Sequence, residues 1–101
     1  MSNPFRPFTI RGCAEAIAPI YGLRVEQVLG RCKLERAVAA RAVLVRIAKQ
    51  QGMNNCAIGR RLGDRDPSTI WHAARSYDVQ TERYAVESAR ALRLLEEYRD
   101  G

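Results

Sequence analysis

The stretch NCAIGRRLGDRDPSTIWHAARSY, Asn55 to Tyr77, decides the fold. Cys56 to Leu62 reads as a short helix and Gly63-Asp64-Arg65 as a tight turn. Asp66 is placed as an N-cap and Pro67 as the first helical residue, where a missing N–H costs nothing. The following helix, Pro67 to about Tyr77, buries Ile70, Ala73, Ala74 and Tyr77 at i, i+3, i+4 and i+7. Its other face carries Ser68, Trp71, His72 and Arg75. A short helix, a glycine turn and a capped helix with a polar face follow the grammar of a helix-turn-helix, although all-α proteins also use such pairs for packing alone. The second helix fits a major groove about 12 Å wide, with its first residues meeting base edges. The free N–H groups of its first turn, at the positive end of the dipole, suit phosphate. Ser68 and Thr69 can donate to phosphate or base acceptors. Trp71 can pack on a thymine methyl, and Arg75 can pair with a guanine or a phosphate.

Outward from this stretch the helical period recurs, with no sustained period-two alternation. The spacing predicts a first helix from about Thr9 to Ile20, with Ile10, Cys13, Ala14, Ile17 and Ile20 on one stripe. A short second helix runs from Leu23 to Leu29. Gly30 opens a basic segment, Arg31-Cys32-Lys33-Leu34-Glu35-Arg36. A long apolar helix follows from about Glu35 to Gln50, its exterior confined to Arg41, Arg46 and Lys49, so the rest of the fold must wrap around it. Gln51 to Asn55 forms a turn, with Gly as a C-terminal cap and Asn as the next N-cap. A last helix from about Gln80 to Tyr98 places Tyr84, Ala91, Leu95 and Tyr98 at heptad-like spacing, flanked by Arg83–Glu87 and Arg93–Glu97 pairs. The expected architecture is all-α, about six helices, without repeats or low-complexity segments.

The chain has 101 residues, enough for one core but not two. Residues 1–8 are expected to form a flexible arm and 9–101 a single domain. The 47% hydrophobic content argues against disorder. No apolar run reaches a bilayer-spanning length, and the first ten residues lack an apolar signal core, so membrane and secreted classes are excluded. Cys13, Cys32 and Cys56 are odd in number and widely spaced, which points to a reducing cytoplasm and to no disulfide framework. With His72 as the sole histidine and no paired ligands, no metal or other cofactor is expected. Nor is an enzyme: paired carboxylates in a cleft and a phosphate loop are both missing, and turn and cap account for Asp64 and Asp66. Residues 1–77 hold 13 basic and 5 acidic side chains, net +8, and residues 78–101 hold 4 and 6, net −2. A basic body of this kind suits a polyanion, and arginine's planar fork suits phosphate and guanine edges.

The run from Ile58 to Ala73, IGRRLGDRDPSTIWHA, resembles the C-terminal DNA-binding domain of the bacterial replication initiator DnaA, whose signature reads IG..FGGRDH[ST]TV.HA. The likeness extends in layout over about Thr9 to Tyr77. It implies a Trp-repressor-like all-helical fold that binds double-stranded DNA through a major-groove helix, with an arginine from a basic loop in the minor groove. Carried over, Arg65, Asp66, Ser68 and Thr69 match the residues that touch bases and phosphates. Trp71 sits where the family has an apolar residue near a thymine methyl. One of Arg31, Lys33 and Arg36 would be the groove-inserting base, and Lys49 is placed like a phosphate-contacting lysine. His72 matches the signature's second histidine, with either a base contact or a backbone hydrogen bond as its role.

Three departures imply an altered or more shape-driven preference. Pro67 replaces a histidine that donates to DNA, Asp64 replaces the second glycine, and Trp71 is bulkier than the usual residue. No G-x-x-x-x-G-K-[ST] accompanies the domain here. The expected function is therefore sequence-specific duplex binding by a small transcriptional regulator of phage, mobile-element or other bacterial origin. The alternative is a protein-interaction module, or a competitor of the initiator, whose partner belongs to the transcription or replication machinery. Phe5, Phe8 and the last helix are further candidate contacts, and the chain is expected to be a monomer or a weak dimer.

Overall fold

The computed structural model describes the backbone of residues 8–100 and the side chains of residues 8–94; Phe5, Leu95, Tyr98 and the Arg93–Glu97 pair lie outside those side chains. The architecture is all-α: seven α-helices and one 3₁₀ turn, with no strand among the described residues. Helix α1 spans Ile10–Ile17, capped by Thr9, whose hydroxyl oxygen accepts from the Gly12 amide at 2.9 Å. The chain then tightens into a 3₁₀ turn, Ala18–Tyr21, instead of continuing the α-helix to Ile20. Pro19 has no N–H to extend the i→i−4 ladder, which accounts for the change. The next helix, α2, is Val25–Leu29, two residues shorter than expected at its start, although Leu23 is still buried.

Helix α3, Glu35–Gln50, has the expected bounds and is the hub of the fold, packing against every other α-helix. Ala37, Ala39, Ala40, Ala42 and Ala48 are fully buried, and their small side chains let neighbouring helices approach closely. Val43, Leu44, Val45 and Ile47 supply the bulk. Burying each such side chain is worth about 1.5–3 kcal/mol. One expectation fails here: Arg41 is not on the exterior but only 7% exposed. Its position, four residues after Ala37 and three before Leu44, keeps the phase of the buried stripe.

Helix α4 is Asn55–Arg61, capped by Asn54, whose side-chain oxygen accepts from the Ala57 amide at 2.9 Å. Helix α5 is Pro67–Arg75. Ile70 is fully buried, whereas Ala73, Ala74 and Tyr77 are half-buried against the core.

The expected helix from Gln80 to Tyr98 is instead two helices, α6 at Tyr77–Arg83 and α7 at Ala85–Asp100. Ser76 joins α5 to α6, and Tyr84 (φ −116°, ψ 54°) breaks α6 from α7. Both joints are held by side chains. Tyr77 lies beneath the Arg46 guanidinium, 4.5 Å from its ring centre. Tyr84 packs on Tyr21 with ring centres 6.4 Å apart, and the Tyr21 and Ser88 hydroxyls share a buried hydrogen bond of 2.9 Å. Arg83 pairs with Glu35 at 2.9 Å rather than with Glu87. Ala91, on the heptad-like stripe, is fully buried in the core. No helix among the described residues is long and apolar enough to cross a membrane.

Candidate nucleic-acid interface

The α4–turn–α5 unit is closed by backbone contact. The Arg65 amide donates to the Gly59 carbonyl at 2.8 Å, and a Cβ on Gly59 would lie 2.1 Å from the Arg65 carbonyl oxygen. Only glycine permits that approach. The turn takes two successive left-handed residues, Gly63 (φ 72°) and Asp64 (φ 53°). Aspartate tolerates that region better than most side chains.

Asp66 then caps α5. Its Oδ1 accepts from the Ser68 amide at 2.9 Å, the Thr69 amide at 3.2 Å and the Ser68 hydroxyl at 2.5 Å. These bonds, the Ser68 hydroxyl foremost, hold the Asp66 carboxyl below its ordinary range. Asp66 is thus committed to the helix terminus, and Ser68 faces outward with its proton donated inward and lone pairs free to accept.

Behind the turn, two guanidinium groups grip the C-terminal end of α2. Arg41 donates from Nε to the Val28 carbonyl at 2.8 Å and from Nη2 to the Gln27 carbonyl at 2.6 Å. Arg65 donates from Nη2 to the carbonyl of Gly30. A five-residue helix ends in unsatisfied carbonyls, and these cations satisfy three of them while complementing its dipole. Burial foremost, then the neighbouring Arg65 charge, pushes the Arg41 guanidinium down to about 10. Burial and Arg31 lower Arg65 in the same way.

The basic loop and the start of α5 are thereby brought to one groove of about 550 Å³. Arg31, Lys33, Arg65 and Thr69 line it together with Asp64 and Asp66, above Val38 and Ala73. Along α5, the residues expected to face outward do so: Ser68, Thr69, Trp71, His72 and Arg75 are all exposed. They are also ordered among themselves. The Arg75 guanidinium lies over the Trp71 ring, 4.7 Å from its centre, and His72 meets Trp71 edge-on at 5.1 Å.

Arg36 and Lys49 are exposed but outside the groove, near opposite ends of α3, about 20 Å apart along its axis. Sequence reasoning missed the structural role of Arg41, for which the signal was an arginine at a buried phase of an apolar helix. Among the described residues, no group of three or more His, Cys, Asp or Glu is placed to hold a metal ion. No family model matches the chain, and neither does any curated protein or solved structure.

Proposed function

We propose that the protein binds double-stranded DNA through α5 and acts as a small cytoplasmic transcriptional regulator without catalytic activity. The observation that carries this is the joint presentation, on one side of the fold, of an anchored basic loop and a capped helix whose outer face is polar and aromatic. Helix α5 enters the major groove, one of Arg31, Lys33 and Arg36 enters the minor groove, and the other two meet phosphates together with Lys49. Three such phosphate contacts give an affinity that falls with salt at a log–log slope of roughly −2.7. Thr69, Ser68, His72, Trp71 and Arg75 meet the groove, with Arg75 on either a guanine or a phosphate. The resemblance of Ile58–Ala73 to the DnaA DNA-binding domain supports the same assignment. Pro67 and Asp64 imply a target other than that family's usual box.

A gel-shift titration with a random duplex pool at two salt concentrations tests the proposal. Retention at low salt, weakened by Lys33→Ala, is expected; no retention of any duplex would sink it.

A second function is favoured by one specific feature, the Asp64 and Asp66 carboxylates on the groove wall, which repel phosphate. In that case the fold serves a protein partner of the transcription or replication machinery, or competes with the initiator. Nucleic acid that co-purifies with the protein and is lost in high salt discriminates in favour of DNA.

A further inference from the structure

We infer that Trp71 and Arg75 form a single base-reading unit whose ligand is the major-groove edge of a guanine beside a thymine. The inference rests on duplex binding by α5 and goes beyond it by choosing guanine over phosphate for Arg75 and by naming the neighbouring base.

The two residues are one helical turn apart, at i and i+4, and therefore share a face of α5. Trp71 is 45% exposed, and the Arg75 guanidinium rests over its ring at 4.7 Å. His72 closes on the indole from the edge at 5.1 Å. A free arginine samples many rotamers, whereas this one is held over an aromatic ring by cation–π attraction. Held so, the fork presents its N–H groups in one plane. The matching ligand is a coplanar pair of acceptors, which guanine offers at O6 and N7. A phosphate can also take the fork in bidentate fashion, but it gains nothing from the indole. It would also bring a strongly hydrated ionic group against 45% exposed aromatic surface, where a base edge or methyl is the better neighbour.

The stack also sets the register. The guanidinium lies 4.7 Å from the indole centre, a little more than the rise of about 3.4 Å between base pairs, so the two side chains can reach successive base pairs. With Arg75 level with one base pair, Trp71 is level with the next, where the thymine C5-methyl is the apolar group on the groove floor. Asp66 takes the Ser68 and Thr69 amides and the Ser68 hydroxyl proton, so the phosphate-facing roles fall to the loop cations, which leaves the Trp71–Arg75 pair free for the bases.

The experiment is selection of bound sequences from a random duplex library by the full chain, by Arg75→Lys and by Trp71→Phe, with thermal melting to verify folding. The most enriched duplex is then resynthesised with 7-deazaguanine at each guanine and uracil at each thymine in turn. At one guanine, 7-deazaguanine should weaken binding by the wild-type chain by about tenfold, within the roughly 5- to 150-fold expected of a bidentate contact, and should weaken Arg75→Lys less. Uracil at the adjacent thymine should weaken the wild type more than Trp71→Phe. Arg75→Lys keeps its charge, so its salt slope should be unchanged. Enrichment without a guanine, unselective retention, or guanine effects identical in wild type and Arg75→Lys would overturn the inference while leaving duplex binding standing. Failure to retain any duplex would overturn both.

Discussion

The guanidinium of Arg65 donates to the backbone carbonyl of Gly30, 35 residues earlier in the chain, and so ties the turn before α5 to the root of the basic loop. Arg41 holds the Gln27 and Val28 carbonyls of the same helix end. The loop cations and the outer face of α5 therefore belong to one connected arrangement. Arg65 is in this respect a strut as well as a groove-lining cation.

Replacing these two arginines separates strut from hub. Arg65→Ala removes a charged hydrogen bond at a half-buried site and should cost about 1 kcal/mol. Arg41→Ala leaves the Gln27 and Val28 carbonyls unpaired beside a new cavity and should cost about 3 kcal/mol. Urea unfolding should place the two variants in that order.

Gly59 faces a backbone wall, so Gly59→Ala must drive α4 away from the residue after the turn. A loss of about 3 kcal/mol is expected, near the upper end for overpacking. Gly52 (φ 90°) has open space around its Cβ position, so Gly52→Ala pays only for backbone strain, about 1 kcal/mol. Thermal melts of the two variants side by side would check the contrast.

Much of this site was legible in the chain itself. The Asp66–Pro67 start of α5 and its outward set of Ser68, Trp71, His72 and Arg75 follow from cap chemistry and helical period, both of them local. The bounds of α3 follow likewise from an apolar run with clear ends. What was not legible depends on distant partners. Arg41 is buried because α2 ends in carbonyls that need a donor, and the break at Tyr84 goes with its packing on Tyr21, 63 residues away. Periodicity carries no record of either.

The three cysteines should differ sharply towards a thiol reagent in the native state. Cys56 is exposed and should label first, Cys32 is half-buried and should follow, and Cys13 should not react. Burial pushes the Cys13 thiol up to about 12 from an ordinary 9.0. The unfolded chain releases this proton above pH 9 while the native state keeps it. The associated stability is therefore complete below pH 9 and is lost progressively towards pH 12, by roughly 4 kcal/mol in full. Denaturation titrations from pH 8 to 11 should show that decline, flattened in Cys13→Ala.

Asp66 works in the opposite direction. Its carboxyl is depressed in the folded state, so its capping contribution is present above the ordinary carboxylate value of 3.8 and is lost as pH falls through the folded value. Asp66→Asn keeps a capping oxygen without the titration. It should remove this component of acid sensitivity in a melting series from pH 2 to 6. It also takes a negative charge off the groove wall, and duplex affinity at low salt should rise a few-fold in filter binding.

Trp71 is the sole tryptophan of the chain and stands on the exposed face of α5, so its fluorescence reports directly on whether that face meets DNA. Titration with a random duplex pool at low salt should quench and shift the Trp71 emission saturably, and raising the salt should reverse the change. Retention of duplex by the protein with Trp71 emission unaltered would contradict binding through α5.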